Sequence, residues 1–195
     1  MLDLVAPSIS VFPRVLRFSE LRLYVFSAVF VSLGVLVPYL THYYGGVIAS
    51  STFLPMFFFI LLAGLLAGWR AGLLIGSCTP LISFGLSGMP LLPVLPEITI
   101  AGIFCGLIVG LLREKLQLKV IWALLGAIVS GWLIRLGVIS LSPLLHIPYG
   151  YGGEISALVH FRTMIVQGLP GIAIQLALII PLVRIAEKWY QKRTM

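Results

Sequence analysis

The sequence predicts an all-α integral membrane protein: a single-domain bundle of six transmembrane helices over residues 1–195, with both termini in the cytoplasm. Three observations predict this. Apolar residues make up 60% of the 195-residue chain and charged residues only 10%, with mean hydropathy +1.12; soluble domains carry about 25% charge. Mostly apolar runs of about 18 to 25 residues recur along the whole length, each able to cross a hydrocarbon core of about 30 Å. Almost every Lys and Arg lies between those runs, in alternate connections.

The first helix spans about Leu21 to Leu40, ending at Pro38 and the polar turn Thr41-His42-Tyr43-Tyr44-Gly45-Gly46. The second spans about Thr52 to Gly68, and the third, a short one, about Ala71 to Leu86. The fourth spans about Val94 to Leu112, the fifth about Val120 to Leu141, and the sixth about Ile155 to Trp189. The runs are continuous rather than alternating and are too long for the strands of a β-barrel.

Charge placement sets the orientation. Arg14, Arg17 and Arg22 precede the first helix, and Arg70 lies between the second and third. Arg113, Lys115 and Lys119 lie between the fourth and fifth, and Arg184, Lys188, Lys192 and Arg193 close the chain. With six spans all fall on one side. The opposite connections hold Tyr43, Tyr44, Met89, His146, Tyr149, Tyr151 and Glu154, and no lysine. The positive-inside rule makes the basic side cytoplasmic.

These bounds exclude several functions. Six helices and short loops use up the chain, leaving no room for a soluble catalytic or nucleotide-binding domain. The net charge of +7 belongs to loops beside spans, so it does not indicate nucleic acid. Pro7, Pro13, Arg14 and Arg17 interrupt the N-terminal segment, which does not read as a cleavable signal. Cys78 and Cys105 lie in apolar segments without metal-type spacing, so no disulfide is expected.

Charges inside the apolar runs mark the candidate site. Arg135 lies in the middle of the fifth helix, Arg162 near the outer end of the sixth and Glu97 near the outer start of the fourth. A charge at bilayer depth costs at least about 2.5 to 3.5 kcal/mol and needs a partner or water. Two readings follow with equal weight: a ligand cavity open to the outside, or an ion pair of Glu97 with Arg135 pinning two helices. Gly64, Gly68, Gly72 and Gly76, and then Gly102, Gly106 and Gly110, recur every four residues. Such spacing lets helix backbones approach closely in lipid. Pro90, Pro93 and Pro96 stiffen the loop before the fourth helix. Pro170 and Pro181 kink or interrupt the sixth, freeing carbonyls that line a cavity in the functional reading.

A series of motifs then points to a family. Phe53-Leu54-Pro55-Met56 opens the second helix, followed by Leu61-Leu62-Ala63-Gly64-Leu65-Leu66-Ala67-Gly68. Gly72-Leu73-Leu74-Ile75-Gly76, Thr79-Pro80, Gly88-Met89-Pro90 and Pro96-Glu97 come next. Arg135 and Gly168-Leu169-Pro170-Gly171-Ile172 with Gln175 complete it. Over about residues 21 to 187, in order, the series resembles the substrate-binding S components of energy-coupling factor (ECF) uptake transporters. The resemblance implies a six-helix protein of the cytoplasmic membrane that binds a vitamin or related micronutrient from outside. It implies partnership with a transmembrane T component and two ATPase subunits, with no hydrolysis by the chain itself and no cofactor. Small residues on the first helix contact the T component in many members; here Ser27, Ala28, Val31 and Ser32 form the candidate face, with Ala28 and Ser32 four apart. One position departs from the pattern: relatives carry a histidine after Leu-Pro-Met, and this chain carries Phe57.

The expected ligand anchors are Glu97, Arg135, Arg162 and Gln175, few and convergent as ligand pockets require. Tyr43, Tyr44, Tyr149 and Tyr151 are the expected lid, although such tyrosines equally suit an interfacial belt. A small S-like subfamily binds cobalamin through a cysteine of the third helix, so Cys78 would face cobalt if the ligand is a corrinoid; a soft thiolate suits that metal. A lone cysteine in apolar sequence is otherwise a small hydrophobe. Two other function classes remain. One is a six-span scaffold subunit without transport. The other is a rhomboid-like protease, because Gly85-Leu86-Ser87-Gly88 matches its Gly-x-Ser-Gly motif and His160 offers a base. Ser87 is followed at once by Met89-Pro90 and lies at the outer end of a helix, which argues against the protease.

The six-span topology has a direct test. Reporter fusions after Lys115 and at the C-terminus should read cytoplasmic, and a fusion near Gly152 external. A cytoplasmic signal at Gly152 would defeat it.

Overall fold

The computed structural model describes residues 15–141 and 157–194. Tyr149, Tyr151, His146 and Glu154 lie outside the described residues. Six helices follow in order: α1 (Leu21–Phe53), α2 (Pro55–Ala67), α3 (Trp69–Ser87), α4 (Leu95–Glu114), α5 (Val120–Leu141) and α6 (Ala157–Thr194). No β-sheet forms among the described residues. Four segments are long and apolar enough to cross a membrane: Leu21–Gly46, Leu95–Glu114, Val120–Leu141 and Val159–Lys192. The protein is therefore an all-α, membrane-type helical bundle.

The first two helices differ from the sequence reading. The polar stretch Thr41–Gly46 does not form a loop; α1 runs through it. The Thr41 hydroxyl donates to the Val37 carbonyl at 2.8 Å, one turn back. The rings of Tyr39 and Tyr43 stack across the same turn at 6.4 Å. Polar side chains thus satisfy themselves within the helix and do not end it. The break comes at Gly46, whose φ of 67° suits glycine. Helix resumes over 47–53 and breaks again at Leu54, held in the left-handed region at φ 48° and ψ 45°. Pro55 then occupies the start of α2, where its missing N–H removes nothing from the helix ladder.

Helix α2 is only 13 residues long, yet it holds the centre. Met56, Ile60, Leu61, Leu62, Ala63, Gly64, Leu65 and Ala67 are all buried. A helix that is apolar all round belongs inside a bundle. One side, through Met56, Ile60, Ala63 and Ala67, joins Leu23 and Val31 of α1 and Ala71 and Ile75 of α3. The other, through Leu61, Leu62 and Leu65, joins Cys105 and Val109 of α4, Ala123, Leu124 and Ala127 of α5, and Ile179 and Val183 of α6.

Glycine sets the spacing of α3 against α4. A Cβ on Gly72 would lie 2.1 Å from the Gly106 carbonyl oxygen, and one on Gly106 would lie 2.2 Å from that of Gly72. A Cβ on Gly76 would lie 2.3 Å from the Gly102 oxygen. The two backbones are in contact, as small-residue spacing allows where lipid removes the hydrophobic drive for association. Gly68 makes the one-residue turn from α2 to α3 at φ 88°.

Two arginines near the α2–α3 and α4–α5 connections, Arg70 and Arg113, are paired. Arg70 faces Glu114 at 3.7 Å, and its guanidinium lies 4.7 Å from the Trp69 ring centroid. Arg113 pairs with Glu187 of α6 and donates to the Leu118 carbonyl at 2.8 Å. These contacts tie α4, α6 and the α4–α5 turn together at one end of the bundle.

The glycine contact predicts a graded response. Gly72→Ala and Gly106→Ala should each lower the melting temperature of the detergent-purified protein, and Gly106→Val more so, because backbone atoms offer no flexible neighbour to yield. Gly85→Ala should be silent, since nothing lies within 4 Å of a Cβ there.

Candidate functional site

The charges flagged by the sequence meet in the bundle interior. Arg135 Nε donates to Glu97 Oε1 at 2.6 Å. Glu97 is 1% exposed and Arg135 8%. The first turn of α4 supplies Glu97, where the positive end of the helix dipole favours a carboxylate. The Arg135 guanidinium lies 5.1 Å from the Trp132 ring centroid; Trp132 is three residues earlier on α5 and so shares its face. On the α6 side, Arg135 Nη2 reaches the Met164 sulfur at 3.8 Å, a weak acceptor. The ion pair between α4 and α5, one of the two readings of these charges, is formed.

Beside this pair is a cavity of about 30 Å³, lined by Leu54, Phe57, Leu61, Cys105, Ile128, Gly131, Trp132, Arg135, Ile172 and Gln175. That is room for two or so water molecules, at roughly 10–15 Å³ each. Its wall is apolar apart from Arg135, Gln175 and the Cys105 thiol. The Gln175 amide donates to the Leu54 carbonyl at 3.1 Å. It therefore holds the break between α1 and α2, where a carbonyl leaves the helix ladder and needs a donor. Gly171, one turn earlier on α6, lets the chains close in: a Cβ there would lie 2.4 Å from the Thr52 carbonyl oxygen. Cys105 donates to the Ala127 carbonyl at 3.5 Å, and Gly131 makes space for its sulfur.

Arg135 and Gln175 thus line one cavity, and Glu97 is paired with Arg135 but is not on its wall. Arg162, Tyr43 and Tyr44 do not join them. Arg162 is exposed on α6. Tyr43 and Tyr44, 71% and 81% exposed, pack edge to face on each other at 5.1 Å on the last turns before Gly46, because the helix continues where a loop was expected. Cys78 is half-buried beside the α1–α2–α3 core and is not on the cavity wall. On α1, Ala28 and Ser32 face outward, whereas Ser27 and Val31 point into the bundle; the four do not form one face.

Several lining residues were not singled out from the sequence. Trp132 was detectable as the i−3 neighbour of an intramembrane arginine. Phe57, noted as the departure from the family pattern, lies on the cavity wall. Nothing in the sequence marked Cys105, Met164 or the Leu54 carbonyl. Ser87, the only residue offered as a nucleophile, closes α3: its hydroxyl donates to the Ser83 carbonyl at 2.8 Å and accepts the Met89 N–H at 3.3 Å. That arrangement gives the protease alternative no support.

No protein-family model matches the chain, and neither does any curated protein or solved structure.

Proposed function

We propose that the chain is a six-span binding subunit of the cytoplasmic membrane, both termini inside, that captures a small water-soluble micronutrient in the manner of ECF S components. The observation that carries this reading is the buried Glu97–Arg135 pair on the edge of a cavity at a broken helix. A neutral apolar bundle could be held together without two ionic groups, and replacing a buried ion pair by apolar residues is often neutral or stabilising. Ionic groups retained inside a membrane bundle default to function, and irregular backbone at that depth is tolerated where it lines a cavity.

In this reading the second crossing comprises 47–67, broken at Leu54, and α3 is the third. The cavity is the closed form of the site. Gly46 and Leu54 bound a short segment whose movement away from Gln175 and Gly171 enlarges it. The ligand is an organic micronutrient rather than a corrinoid, because Cys78 is not on the cavity wall. Ala28 and Ser32, on the outer face of α1, meet a T component whose associated ATPases supply the energy.

The small cavity favours a second reading, a scaffold subunit whose ion pair serves only to fix α4 against α5. Calorimetry of the purified protein, without ATP, across a panel of water-soluble vitamins separates the two. The transport reading expects one saturable binder of submicromolar affinity, weakened at least tenfold by Gln175→Leu. No binder at micromolar concentration leaves the scaffold.

A further inference from the structure

We infer that the Glu97–Arg135 pair is an anion site occupied by the protein's own carboxylate, and that the ligand is a monoanionic organic acid which displaces Glu97 as a proton is taken up. The inference rests on the binding-subunit reading and gives it a substrate class.

Three observations carry it. First, only the cationic member of the pair reaches the cavity: Arg135 is on its wall and Glu97 is not. A solute entering there meets a guanidinium whose far side is neutralised. Second, that guanidinium is under-used. It has five N–H donors. One serves Glu97 Oε1, and among the described residues the only other acceptor is the thioether sulfur of Met164 at 3.8 Å. The terminal nitrogens are therefore available for the two-point pairing that a carboxylate prefers. Third, Glu97 is held by one oxygen. Its Oε2 is buried without a hydrogen-bond partner among the described residues. A buried unsatisfied acceptor is costly; a proton placed on it removes its charge and turns it into an O–H donor that an incoming carboxylate can accept.

Charge conservation then couples the two events. The empty site holds one negative and one positive charge. Adding a monoanion alone leaves a buried net negative charge, which burial penalises strongly. Adding the anion with one proton on Glu97 Oε2 keeps the site neutral: Glu97 becomes an uncharged carboxylic acid, and the incoming carboxylate takes its place on Arg135. The proton comes from solvent and no covalent bond of the ligand changes. The rest of the wall, with Phe57, Ile128, Trp132 and Ile172, suits an apolar or aromatic body on that acid. Other titratable groups on the helices around the pair are Cys105 on the cavity wall, and on α6 His160, one turn before Met164, and the exposed Arg162.

The test uses the full-length protein in detergent and matched acid–amide probes: benzoate with benzamide, indole-3-acetate with indole-3-acetamide, and hexanoate with hexanamide. At least one acid should bind and its amide should not. The acid's affinity should fall about tenfold per pH unit above neutrality, as uptake of one proton requires. Calorimetry in phosphate and in Tris should differ by the ionisation heat of one proton per bound acid. Glu97→Gln should bind the acid more tightly and without pH dependence, while His160→Gln keeps the slope. If Glu97→Gln does not fold, the two-buffer comparison on the unmodified protein decides alone. Preferential binding of an amide, binding of a neutral or cationic vitamin in the earlier panel, acid binding without proton uptake, or a slope that vanishes in His160→Gln would each overturn the exchange while leaving a binding subunit. Failure of every vitamin and every acid would remove both proposals.

Discussion

A carboxylate and a guanidinium cannot be buried separately in an apolar helix bundle, and this constraint organises the site. Glu97 and Arg135 are 38 residues apart in the chain, on α4 and α5. Each would be an uncompensated charge if the other moved, so the relative height of the two helices is fixed where they meet. Trp132 lies against the guanidinium, Met164 of α6 caps one of its nitrogens, and the cavity occupies the space beside it.

The rest of the bundle delivers α4 to that place. Backbone contact between Gly72 and Gly106, and between Gly76 and Gly102, sets α4 against α3 with no side chain between them. That approach leaves α2 enclosed, which is why a helix of 13 residues can be the hub of both halves of the core. Enclosure of α2 in turn brings the Leu54 break against α6, where Gln175 supplies the donor that the interrupted helix lacks. Tight glycine packing and a loosened helix start are thus complementary: one part of the structure is rigid so that another can be irregular. At the opposite end, Arg113 with Glu187 and Arg70 with Glu114 close the bundle, leaving the basic side of the protein partly neutralised.

Much of this was legible in the sequence, for physical reasons. Long apolar runs separated by basic residues specify helices directly, so α4 and α5 begin and end within two residues of their apolar stretches. The every-fourth glycines announced the close approach of α3 and α4. Intramembrane charges are expensive enough that the pairing of Glu97 with Arg135 was one of two available outcomes. What the sequence obscured was local. Thr41 bonds the Val37 carbonyl and Tyr39 stacks on Tyr43 within one helix, so polar residues that resemble a loop do not make one. The break at Leu54 carries no glycine and is stabilised from 121 residues away by Gln175, a contact no local pattern encodes. Cys105 entered the site only because Gly131 on another helix makes space for it. Arg162 looked like an anchor by type and depth, and Tyr43 and Tyr44 like a lid, but their helices turn them outward.

The central claim is that Glu97 and Arg135 act as one electrostatic unit. A double-mutant cycle measured by denaturant unfolding in detergent tests it most directly, with Glu97→Leu, Arg135→Met and the pair combined. Each single change should destabilise by about 3–5 kcal/mol by leaving a buried charge alone, and the double should recover most of that loss. Two nearly silent single changes, or losses that simply add in the double, would contradict the account.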